Sequence, residues 1–232
     1  MRFYGTASGP LVRDAMDAGL LCQIVTPAAG NRVRTGVEWI ADNGIYSNAY
    51  PGDDGYLAWL DQRTEHRDLC RFAVAPDVVA DHDATMERSA PMLAAIRETV
   101  GAVAICAQNG ATPDNLPWSQ IDAVFLAGIV ECVRCGRVPS LAELPLTCCS
   151  CGGLMREWKL GSAAAAVTYE ARRRGVWAHM GRVNSLRRLK IAAAMGCNSA
   201  DGTFLAFGPG KNLPQLLGWL NEIGRQLPWG TA

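Results

Sequence analysis

Eight short apolar runs, separated by segments that read as helices or loops, are the feature of this sequence that most constrains its fold. They fall at residues 3–7, 21–26, 37–41, 72–75, 102–107, 123–127, 176–180 and 197–201. Continuous apolar runs with β-branched residues suit strands buried on both faces, and strands that alternate with helices form a parallel sheet. Eight such units predict an α/β chain closed into a (β/α)₈ TIM barrel, with a doubly wound open sheet as the alternative architecture. A barrel of this kind commonly takes about 250 residues, and this chain has 232. It therefore reads as compact, with a loop or single turn in place of the second helix, because residues 27–36 are too few and too polar for one. Long helices are expected over 83–100 and 161–175, the second ending on basic residues followed by glycine.

The rhythm breaks between residues 129 and 156, where C-V-R-C-G (from Cys132) and C-C-S-C-G-G (from Cys148) face each other across a proline-containing spacer. Cys132, Cys135, Cys148 and Cys151 form two C-x-x-C-G knuckles. The two-residue spacing lets both thiolates of a turn point at one ion, and the following glycine lets main-chain amides approach the sulfurs. Two knuckles complete a four-sulfur tetrahedron, the closed shell of a structural Zn²⁺ site. Cys149 is the alternative third ligand, although C-x-C matches the first knuckle less well, and free thiols or a disulfide pair are the other readings of the cluster. The expected organisation is a barrel domain over 1–128 and 157–232, with a zinc-binding insertion over 129–156 that folds only around its metal.

Five of the nine cysteines crowd into this cluster, which favours metal ligation in a reducing compartment over secreted disulfides. Cys22, Cys70, Cys106 and Cys197 read as plain buried thiols. No run reaches the roughly 18 apolar residues that cross a bilayer, and the N-terminus lacks the layout of a secretory signal. A cytoplasmic protein with no membrane partner is expected.

In a (β/α)₈ enzyme the reacting groups stand at the C-terminal ends of the strands. The polar residues there are few and mostly acidic: Asp42 in A-D-N-G, Asp77 in A-P-D-V-V-A-D, Gln108 and Asn109 after Cys106, and Asp201 in N-S-A-D-G-T. Each aspartate alone reads more readily as a helix N-cap or turn residue than as a reacting group. Gathered at one rim they suit glycosyl transfer, in which one carboxylate attacks the anomeric carbon and another handles a proton.

The order and spacing of D-N-G at 42–44, Asp77, A-Q-N-G at 107–110, F-L-A-G at 125–128 and A-D-G at 200–202 resemble the tRNA-guanine transglycosylase superfamily. The resemblance implies a barrel over nearly the whole chain, with Asp42 as general acid/base and Asp201 as nucleophile. It places Asp77 and Gln108 on the base. The family's glycine-rich turn is split here, with Gly128 before the cysteine module and E-W-K-L-G, ending on Gly161, after it; both glycines are implied in substrate binding. The tRNA enzymes carry C-x-C-x-x-C plus histidine near the C-terminus, whereas this chain has its cysteines mid-sequence. In length and motif flavour it is more similar to the branch from phages and bacterial modification clusters that inserts 7-deazaguanine into DNA. That implies DNA as substrate with tRNA as the alternative, a 7-deazaguanine base as second substrate, accessory modification proteins, and a phage-encoded origin.

The 22 basic residues balance 22 acidic ones, so nucleic-acid contact must come from a local patch. Arg182, Arg187, Arg188 and Lys190 are the candidates, while Arg172, Arg173 and Arg174 read equally well as a solvated helix end. Tyr46 and Tyr50 are secondary candidates for stacking on a base. A lone strand-end histidine such as His179 more commonly makes a local hydrogen bond than a catalytic contact. Two further readings stand beside base exchange: a non-catalytic adaptor that binds nucleic acid through its zinc module, and a glycosidase or nucleoside hydrolase with water as acceptor.

Overall fold

The computed structural model describes residues 1–139 and 147–226. Residues 140–146 of the expected insertion, and the chain beyond 226, lie outside the described residues. Eight parallel strands close a barrel: β1 (Arg2–Gly5), β2 (Cys22–Val25), β3 (Trp39–Ala41), β4 (Cys70–Val74), β5 (Val103–Ala107), β6 (Ala123–Leu126), β9 (Trp177–Met180) and β10 (Ser199–Asp201). Each overlaps one of the eight apolar runs, and β1 closes the barrel by pairing Phe3 with Ala200. Two further strands, β7 (Val130–Cys132) and β8 (Met155–Glu157), form an antiparallel pair outside it.

The outer layer contains α1 (Pro10–Asp17), α2 (Asp53–Asp61), α3 (His82–Ser89), α4 (Leu93–Val100), α5 (Ser162–Arg173), α6 (Leu186–Met195) and α7 (Pro209–Gln226). A single 3₁₀ turn, Pro27–Ala29, stands where the second helix was expected to be missing. Gln23 substitutes for the absent helix: its amide donates to the Arg32 carbonyl and accepts from the Arg34 N–H, satisfying loop groups that a helix would have satisfied internally. The link between β5 and β6 also lacks an α-helix, which the sequence reading did not anticipate. Only the 3₁₀ turn Trp118–Gln120 forms there, after Pro113 and Pro117 have removed two amide donors within five residues. Proline also divides the expected helix over 83–100, which breaks into α3 and α4 around a 3₁₀ turn at Pro91.

Side chains alternate between two cores. Tyr4, Ile24, Ile40, Phe72, Val74, Ala104, Cys106, Ala123 and Phe125 fill the barrel interior, while their chain neighbours pack against the helices. This period of two aims the site. Asp42 stands two residues beyond Ile40, Gln108 two beyond Cys106, and Asp201 two beyond Ser199, so all three continue the inward-facing rows at the C-terminal mouth. At the opposite mouth, Glu38 gathers Arg2, Arg71 and the Tyr4 hydroxyl into a polar plug.

Candidate active site

A cavity of about 360 Å³ opens at the C-terminal mouth, and Asp42, Asn43, Tyr46, Asp77, Gln108 and Asp201 are on its wall. The volume suits a ligand the size of a nucleoside. Asp77 and Gln108 are paired: Gln108 Nε2 donates to Asp77 Oδ2 at 2.6 Å, and the Gln108 carbonyl accepts from the Ala80 N–H at 3.0 Å. Asn43, which the sequence reading passed over inside the D-N-G turn, completes the group. Its Nδ2 donates to Asp77 Oδ1 at 2.8 Å and to the Ala75 carbonyl at 2.9 Å. Burial raises the Asp77 carboxyl, and the two amides pull it back down.

Asp42 lines the same cavity, one residue before Asn43. Burial first, and then the charge of Asp201, push its carboxyl up to about 7, against opposing hydrogen bonds from the Gly44 and Asn43 amides. A carboxyl in that range holds and releases a proton near neutral pH, as general acid/base work requires. Asp201, 9% exposed, is held from below by His179, whose Nε2 lies 2.9 Å from Asp201 Oδ1. His179 is fully buried inside the barrel, and His179 Nδ1 meets Ser199 Oγ at 2.8 Å. The signal that could have found it is the strand period: 179 and 201 lie on adjacent paired strands, β9 and β10, both facing inward.

A second, smaller lobe of about 150 Å³ shares Tyr46, Ile129, Arg182 and Asn184 with the main cavity. Its cations are Lys159, Arg182 and Arg188, against one carboxylate, Glu157. The Arg182 guanidinium stacks 3.9 Å from the Tyr46 ring centroid. Arg188 pairs with Glu157. Lys159, absent from the sequence-based candidates, is 3% exposed and donates to the Gly181 carbonyl at 2.9 Å. Burial drives its ammonium down to about 8. Arg187 is exposed on α6 outside both lobes, and Lys190 is bound to Glu222 of α7 at 2.7 Å.

Gly128 lines the small lobe, but the Trp158 indole explains why it is glycine: a Cβ there would fall 2.5 Å from the ring. Gly161 opens α5 and lines neither lobe. Tyr50 is likewise off the cavity wall, donating to Asp53 at 2.7 Å.

The pair β7–β8 leaves the mouth directly after Gly128 and carries the knuckles at its far end. Sγ atoms of Cys132, Cys135, Cys148 and Cys151 all lie within 4.8 Å of one another, with individual separations of 3.4 to 3.7 Å. A tetrahedron of 2.3 Å metal–sulfur bonds requires sulfurs about 3.8 Å apart, whereas a disulfide requires about 2.0 Å. The four sulfurs therefore make a set able to hold a metal ion. Main-chain amides of Ser150 and Cys151 hold the Cys148 thiol down, while the neighbouring sulfurs of Cys132 and Cys135 push Cys151 up. Cys149 is exposed and outside the set. Asn109 ties the base of the pair to β5, accepting from the Ile129 N–H at 2.9 Å and donating to Glu131 at 2.9 Å.

No protein-family model matches the chain. No curated protein matches it either. Solved structures do. A BexX/CysO complex from Amycolatopsis orientalis aligns with a TM-score of 0.54 at 14% identity, covering 100% of this chain and 92% of the other. A mutant tryptophan synthase alpha-subunit from Pyrococcus furiosus aligns at 0.53 and 14%, covering 96% of each chain. Phosphoribosyl anthranilate isomerase from Thermus thermophilus aligns at 0.51 and 12%, covering 96% of this chain and 100% of that one. At these identities the likeness shows the fold alone. None of the three is named for base exchange. No helix among the described residues is long and apolar enough to cross a membrane.

Proposed function

We propose that this chain is a pentosyltransferase that exchanges guanine in a nucleic acid for a 7-deazaguanine base, through a covalent aspartyl-sugar intermediate. One observation carries the reading: a cavity that brings Asp42, Asp77, Gln108 and Asp201 onto one wall, with Asp201 braced by His179. Asp201 attacks C1′ of the target nucleotide. The C1′–N9 bond breaks, its electron pair stays with guanine, and the Asp42 carboxylic acid supplies the proton. The Asp42 carboxylate then takes the ring N–H proton of the incoming deazaguanine, whose nitrogen displaces Asp201 from C1′. Two inversions return the original configuration. The Asp77–Gln108 pair offers acceptors and an amide to a guanine edge, as the resemblance to the transglycosylase superfamily implies.

The small lobe supports a nucleic-acid substrate over a free nucleoside, because Arg182, Arg188 and Lys159 collect beside the cavity where a flanking phosphate would lie. The resemblance favours DNA over tRNA. In a duplex the guanine must be flipped out, or the strand opened by accessory proteins, before its sugar reaches the mouth. The four thiolates fit Zn²⁺, which would hold the β7–β8 pair closed and take no part in the chemistry.

The test is incorporation of radiolabelled guanine or a 7-deazaguanine into DNA and into tRNA, by wild type and by Asp201→Asn. Label in DNA with wild type alone supports the whole reading. Label in tRNA keeps the chemistry and changes the substrate. Release of base without incorporation makes the enzyme a hydrolase, and no reaction in any arm overturns the proposal in favour of a binding role.

A further inference from the structure

The barrel interior holds a chain of hydrogen bonds that the proposed reaction does not by itself require. Trp177 Nε1 donates to Ser199 Oγ at 2.7 Å, Ser199 Oγ meets His179 Nδ1 at 2.8 Å, and His179 Nε2 meets Asp201 Oδ1 at 2.9 Å. Indole nitrogen is a donor only, so it occupies an acceptor site of the Ser199 hydroxyl. Among the described residues the Ser199 O–H has no acceptor other than His179 Nδ1. That places a lone pair on Nδ1 and the ring proton on Nε2, where it is donated to the Asp201 carboxylate.

The ring cannot easily turn. His179 is fully buried, with Phe125 at 4.6 Å, Phe72 at 5.5 Å and Tyr4 at 5.7 Å between centroids. Its N–H holds one carboxylate oxygen, Oδ1, and no hydrogen bond among the described residues reaches Oδ2. The free oxygen is the one left to react. The arrangement reverses the familiar order of a catalytic triad, in which a carboxylate fixes the tautomer of a histidine that serves a nucleophile. Here a hydroxyl fixes the tautomer of a histidine, and the nucleophile is the carboxylate.

We propose that His179, with its tautomer set by Ser199 and Trp177, is a positioning residue that aims Asp201 Oδ2 at the sugar and holds the charge on Asp201. The inference rests on Asp201 as the nucleophile of the proposed reaction. In the first half-reaction the N–H fixes the attacking geometry. In the second, Asp201 leaves C1′ as a carboxylate, and the same N–H receives that returning charge without reorganisation. Two carboxyls crowd the cavity beside it, Asp42 and Asp77, and among the three only Asp201 takes a donor from a histidine ring. The chain therefore singles out Asp201 as the carboxyl oriented for attack.

Two measurements test this. Nitrogen-15 NMR of the histidine rings reads the tautomer without any substrate; the expected result is His179 protonated at Nε2, with Ser199→Ala releasing the lock and mixing the tautomers. Protonation at Nδ1 in wild type overturns the proposal. The second measurement compares base exchange in His179→Phe and His179→Gln, both checked for wild-type folding by circular dichroism. Phenylalanine keeps the ring volume and loses the donor, so kcat should fall about 100-fold with KM for the nucleic acid unchanged, the scale of loss for a reacting group misplaced by about 1 Å. Glutamine keeps a donor and should recover part of that loss. Full kcat in a folded His179→Phe overturns the positioning role. If wild type shows no base exchange, the proposed function fails, and the tautomer still decides whether the hydrogen-bond chain exists.

Discussion

Asp42 and Asp201 face the same cavity from the ends of β3 and β10, and after burial the Asp201 charge is the largest influence lifting Asp42 to about 7 from an ordinary 3.8. The folded chain thus binds this proton more tightly than the unfolded chain does. Stability from this group is fully present below about pH 4 and is lost as the pH rises through 7. Asparagine keeps a neutral group at every pH. Asp42→Asn should therefore be more stable than wild type at pH 8, by an amount on the order of a few kcal/mol at about 1.4 kcal/mol per pH unit, and so melt higher there, and melt at the same temperature near pH 4. Its base exchange should fall by about 10²- to 10⁴-fold. A melting difference that does not change between pH 4 and pH 8 contradicts the shift.

The cysteine set makes a sharper distinction between neighbours in sequence. Cys148 is inside the four-sulfur group and Cys149 is exposed outside it. Cys148→Ser should lose bound zinc in a metal-content assay, and Cys149→Ser should keep one ion per chain. Chelation of wild type should open the far end of the β7–β8 pair, because among the described residues its buried side chains there are the cysteines themselves. Equal zinc content in the two variants would remove Cys148 from the ligand set.

Asn109 anchors that pair to the barrel through the Ile129 amide and the Glu131 carboxylate. Asn109→Ala leaves the buried Ile129 N–H without its acceptor, a loss of about 1–3 kcal/mol. The expected outcome is a lower melting temperature with zinc content unchanged. An unchanged melting temperature would mean that the metal end alone holds the pair in place.

The parts of the molecule legible in the sequence were those set by local pattern. Continuous apolar runs gave the eight strands, because a parallel strand is buried on both faces wherever it sits. The missing second helix was legible in residues 27–36, and the four-sulfur group in two knuckles, because spacing in a tight turn is geometry. The missing helix before β6 was not foreseen, although Pro113 and Pro117 were there to be read. The partners of His179, Asn43 and Lys159 were hidden for a different reason. Each of these residues gains its meaning from a partner on another strand or loop: Asp201 is 22 residues from His179, Asp77 is 34 from Asn43, and Gly181 is 22 from Lys159. Only the closure of the barrel brings those partners within 3 Å. Lys190 shows the converse, since a basic run on the page is partly spent on an ion pair between helices.

Lys159 supplies the last prediction. Its ammonium is buried beside Arg182 and Arg188, and burial lowers it from 10.5 to about 8. Below pH 8 it carries a charge toward the small lobe; above, it does not. If a phosphate of the bound strand occupies that lobe, Lys159 contributes one released counterion, so Lys159→Met should reduce the slope of log K against log salt by about 1 at pH 7. Above about pH 9 the wild-type slope should approach that of the variant, because the lysine has lost its proton. Arg188→Gln should lower the slope at both pH values, since a guanidinium stays charged throughout. Binding measured by fluorescence anisotropy over a salt series at each pH separates the two cations. A Lys159→Met slope equal to wild type at pH 7 would show that no phosphate reaches this lysine and that its buried charge serves the Gly181 carbonyl and Glu157 alone.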